Sequence, residues 1–192
     1  MPGKLVEVER KRQLPDGGEH LEALLANLGW QAGPSVAEVD TYYSRPDVDY
    51  LETMECLWVR QRGESTEITY KPASDDGARG ATHMVSGPET NLVLGPGQAA
   101  TAEEMLVRIG MRLLVRLEKT RTVYRHPAYR EVVVAIDTVA GVGSFVEVEV
   151  LSADADDAAE LVGQVEEQLD LLDCPAVDLP YRDLALSRAG TG

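Results

Sequence analysis

Charged residues occupy alternate positions in one strand-like segment after another of this 192-residue chain. The first such segment spans residues 5–11, in which Glu7, Glu9 and Lys11 are separated by single residues. Side chains two positions apart in a β-strand share a face, so each such strand has one charged face and one face that is largely aliphatic. The same spacing recurs in the pairs Arg60 and Arg62, Thr69 and Lys71, Lys119 and Arg121, and Glu147 and Glu149.

Hydrophobic periodicity and turn residues predict about eight strands and three helices. Two helices begin with capping boxes, in which Asp16 pairs with Glu19 and Thr101 pairs with Glu104. Residues 72–88 are rich in Gly, Ser and Asp and predict a long loop. Strands are expected at 5–11, 37–44, 56–62, 66–71, 89–94, 115–125, 131–138 and 144–151, and helices at 16–29, 101–110 and 153–172.

This order of elements lacks the strand-helix-strand alternation of parallel sheets. It favours an α+β fold, in which an antiparallel sheet closes into a β-barrel with flanking helices. The length fits one domain, which is expected to span residues 1–186, followed by a frayed tail at 187–192.

In a closed barrel one face of every strand points inward. A single charged strand face is more typical of a surface exposed to solvent, but here the pattern repeats along the sheet. If helices cover the aliphatic faces from outside, the charged faces line a polar tunnel. Two cations ~4 Å apart repel by about 1 kcal/mol in water and about 4 kcal/mol at an effective dielectric of 20. We therefore expect such a tunnel to bind a ligand of opposite charge.

Five cations are candidates to hold an extended anion, since Arg binds phosphate oxygens in pairs and Lys acts as a point charge. Carboxylates on the same faces would repel a phosphate chain unless hard divalent ions lay between them, and oxygen ligands suit Mg²⁺ or Mn²⁺. The cations are Lys11, Arg60, Lys71, Lys119 and Arg121, with Arg62 on the face of Arg60. The metal-ligand candidates are Glu7, Glu9, Asp137, Glu147 and Glu149.

Composition narrows the classes of partner. The net charge of −15 disfavours binding of a nucleic acid polymer. Apolar runs such as 132–136 are far shorter than a membrane span, so we expect no membrane partner and a cytoplasmic protein. Two isolated cysteines and three scattered histidines do not form a disulfide framework or a zinc motif.

At these residues the chain resembles the CYTH domain, or triphosphate tunnel metalloenzyme, family. The sequence Glu7-Val-Glu9-Arg-Lys11 is similar to the E-x-E-x-K signature of that family. Several further motifs follow in the family's order over nearly the whole chain, and a tail at 179–184 resembles that of the branch related to class IV adenylyl cyclases. These motifs are D-T-Y-Y at 40–43, L-W-V-R at 57–60, I-T-Y-K at 68–71, K-T-R at 119–121, Asp137 and F-V-E-V-E at 145–149.

The resemblance implies that the five cations hold phosphates and act in catalysis, and that the carboxylates hold metal. Two departures from the family pattern concern the substrate. Trp58 stands where the family usually has an arginine, which weakens one phosphate contact or replaces it with stacking on a base. The loop at 72–88 lacks a clear R-x-E pattern, for which Arg79 and Glu89 are the available substitutes.

Three functions remain open at this point. The chain could form cyclic AMP and pyrophosphate from ATP, as a class IV cyclase does, or hydrolyse a nucleoside or inorganic triphosphate. The alternative is a non-catalytic module that binds polyphosphate or a nucleotide. Either a monomer or a homodimer is compatible with the sequence.

Overall fold

The computed structural model describes residues 6–72, 85–86 and 89–189, apart from the side chains of residues 6, 85, 86 and 189. Leu5, Arg79 and residues 190–192, which entered the sequence predictions, lie outside the described residues. The strands are β1 Val6–Leu14, β2 Gln31–Ala32, β3 Val36–Ser44, β4 Cys56–Arg62, β5 Ser65–Lys71, β6 Val85–Ser86, β7 Thr90–Leu94, β8 Arg112–His126, β9 Tyr129–Val139 and β10 Gly143–Ser152. The helices are α1 Glu19–Asn27, α2 Ala99–Arg108, α3 Ala155–Gln168 and α4 Tyr181–Ala189.

One antiparallel sheet contains all ten strands, in the order β6-β1-β10-β9-β8-β3-β4-β5-β7, with β2 paired to β8 outside this path. The predicted α+β antiparallel architecture is confirmed. In the described part of the chain no ladder joins the end strands β6 and β7, so hydrogen bonds do not close the barrel. The sheet nevertheless curls so far that Lys71 Nζ of β5 lies 3.8 Å from Glu9 Oε1 of β1.

Helices cover the aliphatic outer face of this curled sheet. Alternate residues of β1, β9 and β10 pack beneath α1 and α3, and Val134 and Val162 are fully buried there. On the opposite side, Tyr43 and Val59 pack beneath Ala102 and Leu106 of α2. With their aliphatic faces sheltered from water outside, these strands turn their other face inward.

Several predicted boundaries were wrong, for local reasons. The first helix starts after Gly18, whose φ is 100°, although the Asp16 carboxylate still accepts from the amides of Gly18 and His20. The helix predicted from Thr101 starts at Ala99 instead, after Gln98. Helix α3 is shorter than the predicted 153–172. Helix α4 continues through Ser187 to Ala189, within the segment that the sequence analysis assigned to a tail.

Among the described residues, no helix is both long and apolar enough to cross a membrane.

The chain between α3 and α4 is fastened to β1 by a buried ionic cluster. Glu166 of α3 is fully buried, and its carboxylate accepts from Arg12 Nε at 2.7 Å and from Arg10. Arg12 also donates to the backbone oxygen of Cys174 at 2.7 Å. The backbone amide of Val177 in turn donates to the oxygen of Lys11 at 2.9 Å. The ionic cluster therefore holds the C-terminal segment beside Lys11.

We expect Glu166→Ala to destabilise the protein by about 3–5 kcal/mol, because it leaves two guanidinium groups without their buried carboxylate. In a chain of this length the melting temperature should fall by roughly 10 °C. Glu167→Ala is the matched control, since this neighbour in the same helix is exposed. Thermal denaturation of both variants checks the prediction, and equal melting temperatures for the two would contradict it.

Candidate functional site

Strand pairing places the charged side chains on the inward face. Residues directly opposite each other in an antiparallel ladder point to the same side of the sheet. The register pairs Lys11 with Glu147 across β1 and β10, and Lys119 with Glu38 across β8 and β3. Among the described residues, the charged groups of the inward face include six cations, Lys11, Arg60, Arg62, Lys71, Lys119 and Arg121, and eight acids, Glu7, Glu9, Glu38, Asp40, Glu67, Asp137, Glu147 and Glu149.

Arg121 is the centre of one group of ion pairs. Its Nη1 lies 2.8 Å from Asp137 Oδ2 and 2.8 Å from Glu147 Oε2, and its Nη2 binds Glu149. Asp137 comes from β9, which pairs with β8, and Glu147 and Glu149 come from β10, one strand further along the sheet. Three predicted metal-ligand candidates therefore surround one predicted phosphate-binding cation.

A second group lies deeper and contains two acids that sequence reasoning missed. Glu38 and Asp40 of β3 are buried. Arg60 donates to Asp40 through Nε and Nη2, both at 2.7 Å, and Lys119 Nζ lies 3.2 Å from Glu38 Oε2. Arg62 also binds Glu38 but is half exposed. The alternate spacing of Glu38 and Asp40, the signal used for Glu7 and Glu9, could have identified them.

Lys11 contacts the start of α4. Its Nζ lies 3.5 Å from Glu147 Oε1, donates to the Leu179 oxygen at 3.2 Å, and sits 4.3 Å from the centre of the Tyr181 ring. The buried Tyr181 hydroxyl donates to Asp137 Oδ2 at 3.0 Å. The sequence analysis quoted the tail at 179–184, which contains Tyr181, as a resemblance but gave Tyr181 no role in the site, because its distance along the chain from Lys11 gives no periodic signal.

Lys71 lies at the gap between the two ends of the sheet. Its Nζ is 2.5 Å from Glu89 Oε1 and 3.8 Å from Glu9 Oε1. Glu89, a predicted substitute for the family's R-x-E acid, therefore binds a predicted phosphate-binding lysine. Arg79, the other substitute, lies outside the described residues.

Crowding changes the ionisation of the carboxylates. Burial, together with neighbouring Glu147, Glu9 and Glu7, raises the pKa of Glu149 to about 7 despite Arg121. Burial and Glu9 also raise the pKa of Glu7.

Glu147 responds in the opposite direction. Burial opposes its ionisation, but Arg121, Lys11 and Lys119 outweigh burial and hold its pKa below the usual range. Burial and the charged Glu147 raise the pKa of Asp137, against the effect of Lys119. Among the described residues, the inward face also carries more acids than cations.

This excess fits a divalent cation. Glu9, Glu147 and Glu149 each offer a carboxylate oxygen, and these oxygens lie within 4.8 Å of one another. Carboxylate oxygens are the ligands of Mg²⁺ and Mn²⁺. Glu7 lies two residues from Glu9 on β1, and Asp137 forms an ion pair with Arg121. Both acids adjoin this set but do not belong to it.

Beyond the charged groups, the inward face becomes apolar. Trp58 is two residues from Arg60 on β4 and packs with Tyr42, Leu117 and Phe145 in a buried cluster that also includes Tyr181. The expectation that Trp58 stacks on a base is therefore not met in this arrangement, because its ring is covered by Tyr42 and neighbouring side chains. The polar tunnel predicted from the sequence is polar over only part of its length.

Comparisons with known proteins agree on one family. The model of the CYTH domain matches residues 5–178. A candidate adenylate cyclase of Methanocaldococcus jannaschii, MJ0240, is 23% identical over 168 residues, covering 88% of this chain and 90% of that protein.

Two solved structures share the fold over most of both chains. PH1819 from Pyrococcus horikoshii has a TM-score of 0.76 and 24% identity, covering 95% of this chain and 99% of its own. HpAC1 from Hippeastrum, a candidate adenylyl cyclase with a dominant triphosphatase activity, has a TM-score of 0.66 and 14% identity, covering 97% and 96%. At such identities the likeness establishes the fold, and the activities are those of the other proteins.

We expect Glu149→Gln to remove a pH-dependent loss of stability in metal-free protein. An acid with a raised folded pKa contributes stability that is complete below its unfolded pKa of 4.5 and is lost as the pH rises through about 7. Gln cannot ionise, so the melting temperature of the variant minus that of the parent should increase by about 5 °C between pH 5 and pH 8.

The measurement is thermal denaturation in the presence of a chelator at several pH values. Glu118→Gln, an exposed position on the outer face of β8, is the matched control. A difference for Glu149→Gln that stays constant with pH, or that the control reproduces, would show that Glu149 is not the responsible group.

Proposed function

Since this chain belongs to the CYTH domain family, we propose that it is a divalent-metal-dependent enzyme that cleaves a triphosphate bound in its charged interior. The family binds triphosphates and depends on metal ions. The substrate proposed here is a nucleoside triphosphate or inorganic tripolyphosphate.

One observation carries this proposal. Cations and an excess of acids share the inward face, and three of the acids, Glu9, Glu147 and Glu149, meet within 4.8 Å. Cations alone would suit any anion, and acids alone would suit any metal. Both together suit a polyanion that arrives with its metal ions, because each partner offsets charge that the other would leave buried.

In the proposed complex Glu9, Glu147 and Glu149 hold Mg²⁺ or Mn²⁺, with Glu7 and Asp137 beside them. The bound metal would act as a Lewis acid that withdraws charge from phosphate oxygens. Lys11, Arg60, Lys71, Lys119 and Arg121 orient the phosphate chain and stabilise charge on the leaving group, and Arg62 assists from its more exposed position.

Arg121 must exchange hydrogen-bond partners when substrate binds. In this structure its guanidinium donates to Asp137, Glu147 and Glu149. A metal ion held by Glu147 and Glu149 would neutralise their charge, and the guanidinium of Arg121 would then be available to phosphate oxygens. Arg60 differs, because two short hydrogen bonds fix it on Asp40, and it is oriented before substrate arrives.

Two reactions fit this arrangement. In a cyclase, the ribose 3′-hydroxyl attacks the α-phosphorus of ATP and pyrophosphate leaves. In a hydrolase, water attacks the terminal phosphorus, the bond to the next phosphate breaks, and orthophosphate forms while the remaining diphosphate leaves. Tyr181 is not the base for either, because burial and the nearby Glu147 raise its pKa well above the ordinary value and its hydroxyl donates to Asp137.

A non-catalytic module that binds polyphosphate or a nucleotide is the second candidate. The observation that favours it is Trp58, which fills an inward position where the family usually has an arginine and leaves one cation fewer at the deep end. Such a module would bind triphosphates tightly and release no product.

A product assay separates these possibilities. We expect Mg²⁺ or Mn²⁺ with ATP to give either cyclic AMP with pyrophosphate or ADP with orthophosphate, and a chelator to abolish turnover. Tripolyphosphate should give orthophosphate only if the protein is a hydrolase. Binding of both compounds without any product would establish the module, and absence of binding would contradict both candidates.

We also expect Glu7→Gln to lower kcat/KM at least about 100-fold while the melting temperature stays equal or rises. The raised pKa of Glu7 means that its charge is unfavourable in the folded protein, so removing that charge should not harm stability. Glu131→Gln, an exposed acid at the start of β9, is the matched control. A Glu7→Gln variant that unfolds would assign this residue a structural role.

A further inference from the structure

Helix α2 and the start of β8 gather exposed apolar side chains on the outside of the barrel. The described part of the chain exposes nine large apolar side chains, and four of them lie between residues 105 and 113. Their exposed fractions are 50% at Met105, 55% at Val107, 69% at Ile109 and 59% at Leu113. Together with the exposed Glu104 and Arg108 they form what is termed here the α2 surface. A continuous apolar patch of this kind marks an interaction site.

Strand β8 places Leu113 on the side of the sheet that α2 covers. Its ladder with β3 pairs Leu113 with Tyr43. Tyr43 packs beneath Leu106 of α2. Because residues opposite each other in an antiparallel ladder share a face, Leu113 points toward the helix side.

An ion pair places Val107 beside Leu113. Glu103 Oε1 of α2 lies 3.6 Å from Arg116 Nη1 of β8. Val107 follows Glu103 by one helical turn on the same side of α2, and Leu113 precedes Arg116 by three residues on β8. Both therefore extend from the ion pair toward the connection at 109–111, so the apolar side chains form one patch across helix and strand.

The charges of this surface balance, unlike those of the chain as a whole. The chain has a net charge of −15, and α3 has acids but no basic residue. Two copies repel each other where such acidic surfaces meet. A second copy can approach the α2 surface without that repulsion. Residues 99–118 contain three acids, Glu103, Glu104 and Glu118, and three cations, Arg108, Arg112 and Arg116.

We propose that the α2 surface binds the same surface of a second copy of this chain about a two-fold axis. Such an axis makes the two α2 helices antiparallel. Within one helix, Arg108 Nη2 lies 2.7 Å from Glu104 Oε1, and both side chains are exposed. In antiparallel helices that cross between these two residues, Glu104 of each copy faces Arg108 of the other.

The apolar and charged groups have different tasks in this dimer. Exposed ion pairs contribute little to stability, so burial of the four apolar side chains supplies the affinity. Like charges placed opposite each other at an interface are unfavourable, so Glu104 and Arg108 set the register. An anionic membrane would instead favour a surface with an excess of cations, which the balanced charges of this segment do not provide.

Analytical ultracentrifugation of the full chain at ~1 to ~100 µM tests the proposal. We expect a species of twice the chain mass of 20.9 kDa. Leu113→Glu should weaken self-association at least about 10-fold, because it places a carboxylate in the apolar part of the interface.

Leu172→Glu is the matched control. It makes the same change at a leucine that is exposed to nearly the same degree, 56% against 59%, and lies outside the α2 surface. It should change the dissociation constant of the dimer less than about 2-fold. Equal weakening by both substitutions would mean that added negative charge, and not the α2 surface, governs association.

Charge reversal tests the two-fold axis. Glu104→Arg places arginines opposite each other, and Arg108→Glu places glutamates opposite each other. Each variant alone should self-associate at least about 10-fold more weakly than the parent. A mixture of the two should form a dimer within about 3-fold of the parent affinity, because each arginine of one variant then faces a glutamate of the other.

Other results overturn the proposal. A parent chain that stays monomeric at the highest concentration has no such dimer, and one that instead sediments with phosphatidylserine vesicles uses this surface for a membrane. A dimer that Leu113→Glu leaves intact uses another surface. A mixture of the reversed variants that associates no better than either alone contradicts the two-fold axis.

The two kinds of variant keep the test independent of folding and of the proposed function. Circular dichroism checks that each variant keeps the parent spectrum. Should Leu113→Glu fail to fold, the charge reversals decide the outcome, because they change only exposed side chains. These measurements require no triphosphate and no metal, so a missing dimer leaves the proposed function standing, and a missing activity leaves the dimer standing.

Discussion

The pairing of inward-facing cations with a larger number of carboxylates is the interaction on which the rest of this molecule depends. Arg121 holds Asp137, Glu147 and Glu149 together, although burial and mutual repulsion would otherwise separate them. Burial and the neighbouring acids raise the pKa of Glu149 to about 7, so its charged form is unfavourable in the folded protein. Bound metal and phosphate would neutralise the buried charges that the protein's own side chains leave unpaired. Ligand binding is therefore linked to the ionisation of these groups.

The outer layers make this interior possible. The aliphatic faces of the strands are buried beneath α1, α2 and α3, and this burial offsets the unfavourable crowding inside. The ionic cluster at Glu166 lies outside the barrel and fastens the C-terminal segment to β1. That segment delivers Tyr181 to Lys11 and Asp137. The ionic cluster outside the barrel therefore helps to place Tyr181 in the interior.

Much of the site could be predicted because alternation along a strand is a local property. Glu7, Glu9 and Lys11 must share a face wherever that strand lies. The same rule applied to Glu38 and Asp40 would have found the deeper acids. The start of α1 was predicted wrongly for another reason: Gly18 has a φ of 100°, and because glycine adopts positive and negative φ about equally, the sequence alone does not fix where the helix begins.

By itself, the amino-acid sequence determined which side chains share a face, the order of the strands along the chain and the chemistry of the shared face. These features follow from a two-residue period and from the charge of each residue, and both are properties of neighbouring positions. Only the tertiary structure decided which acid neutralises which cation, that the sheet ends are not joined by a ladder within the described residues, and that Trp58 belongs to a buried apolar cluster. Those outcomes depend on the curl of the sheet and on where α4 docks, which bring together residues more than one hundred positions apart.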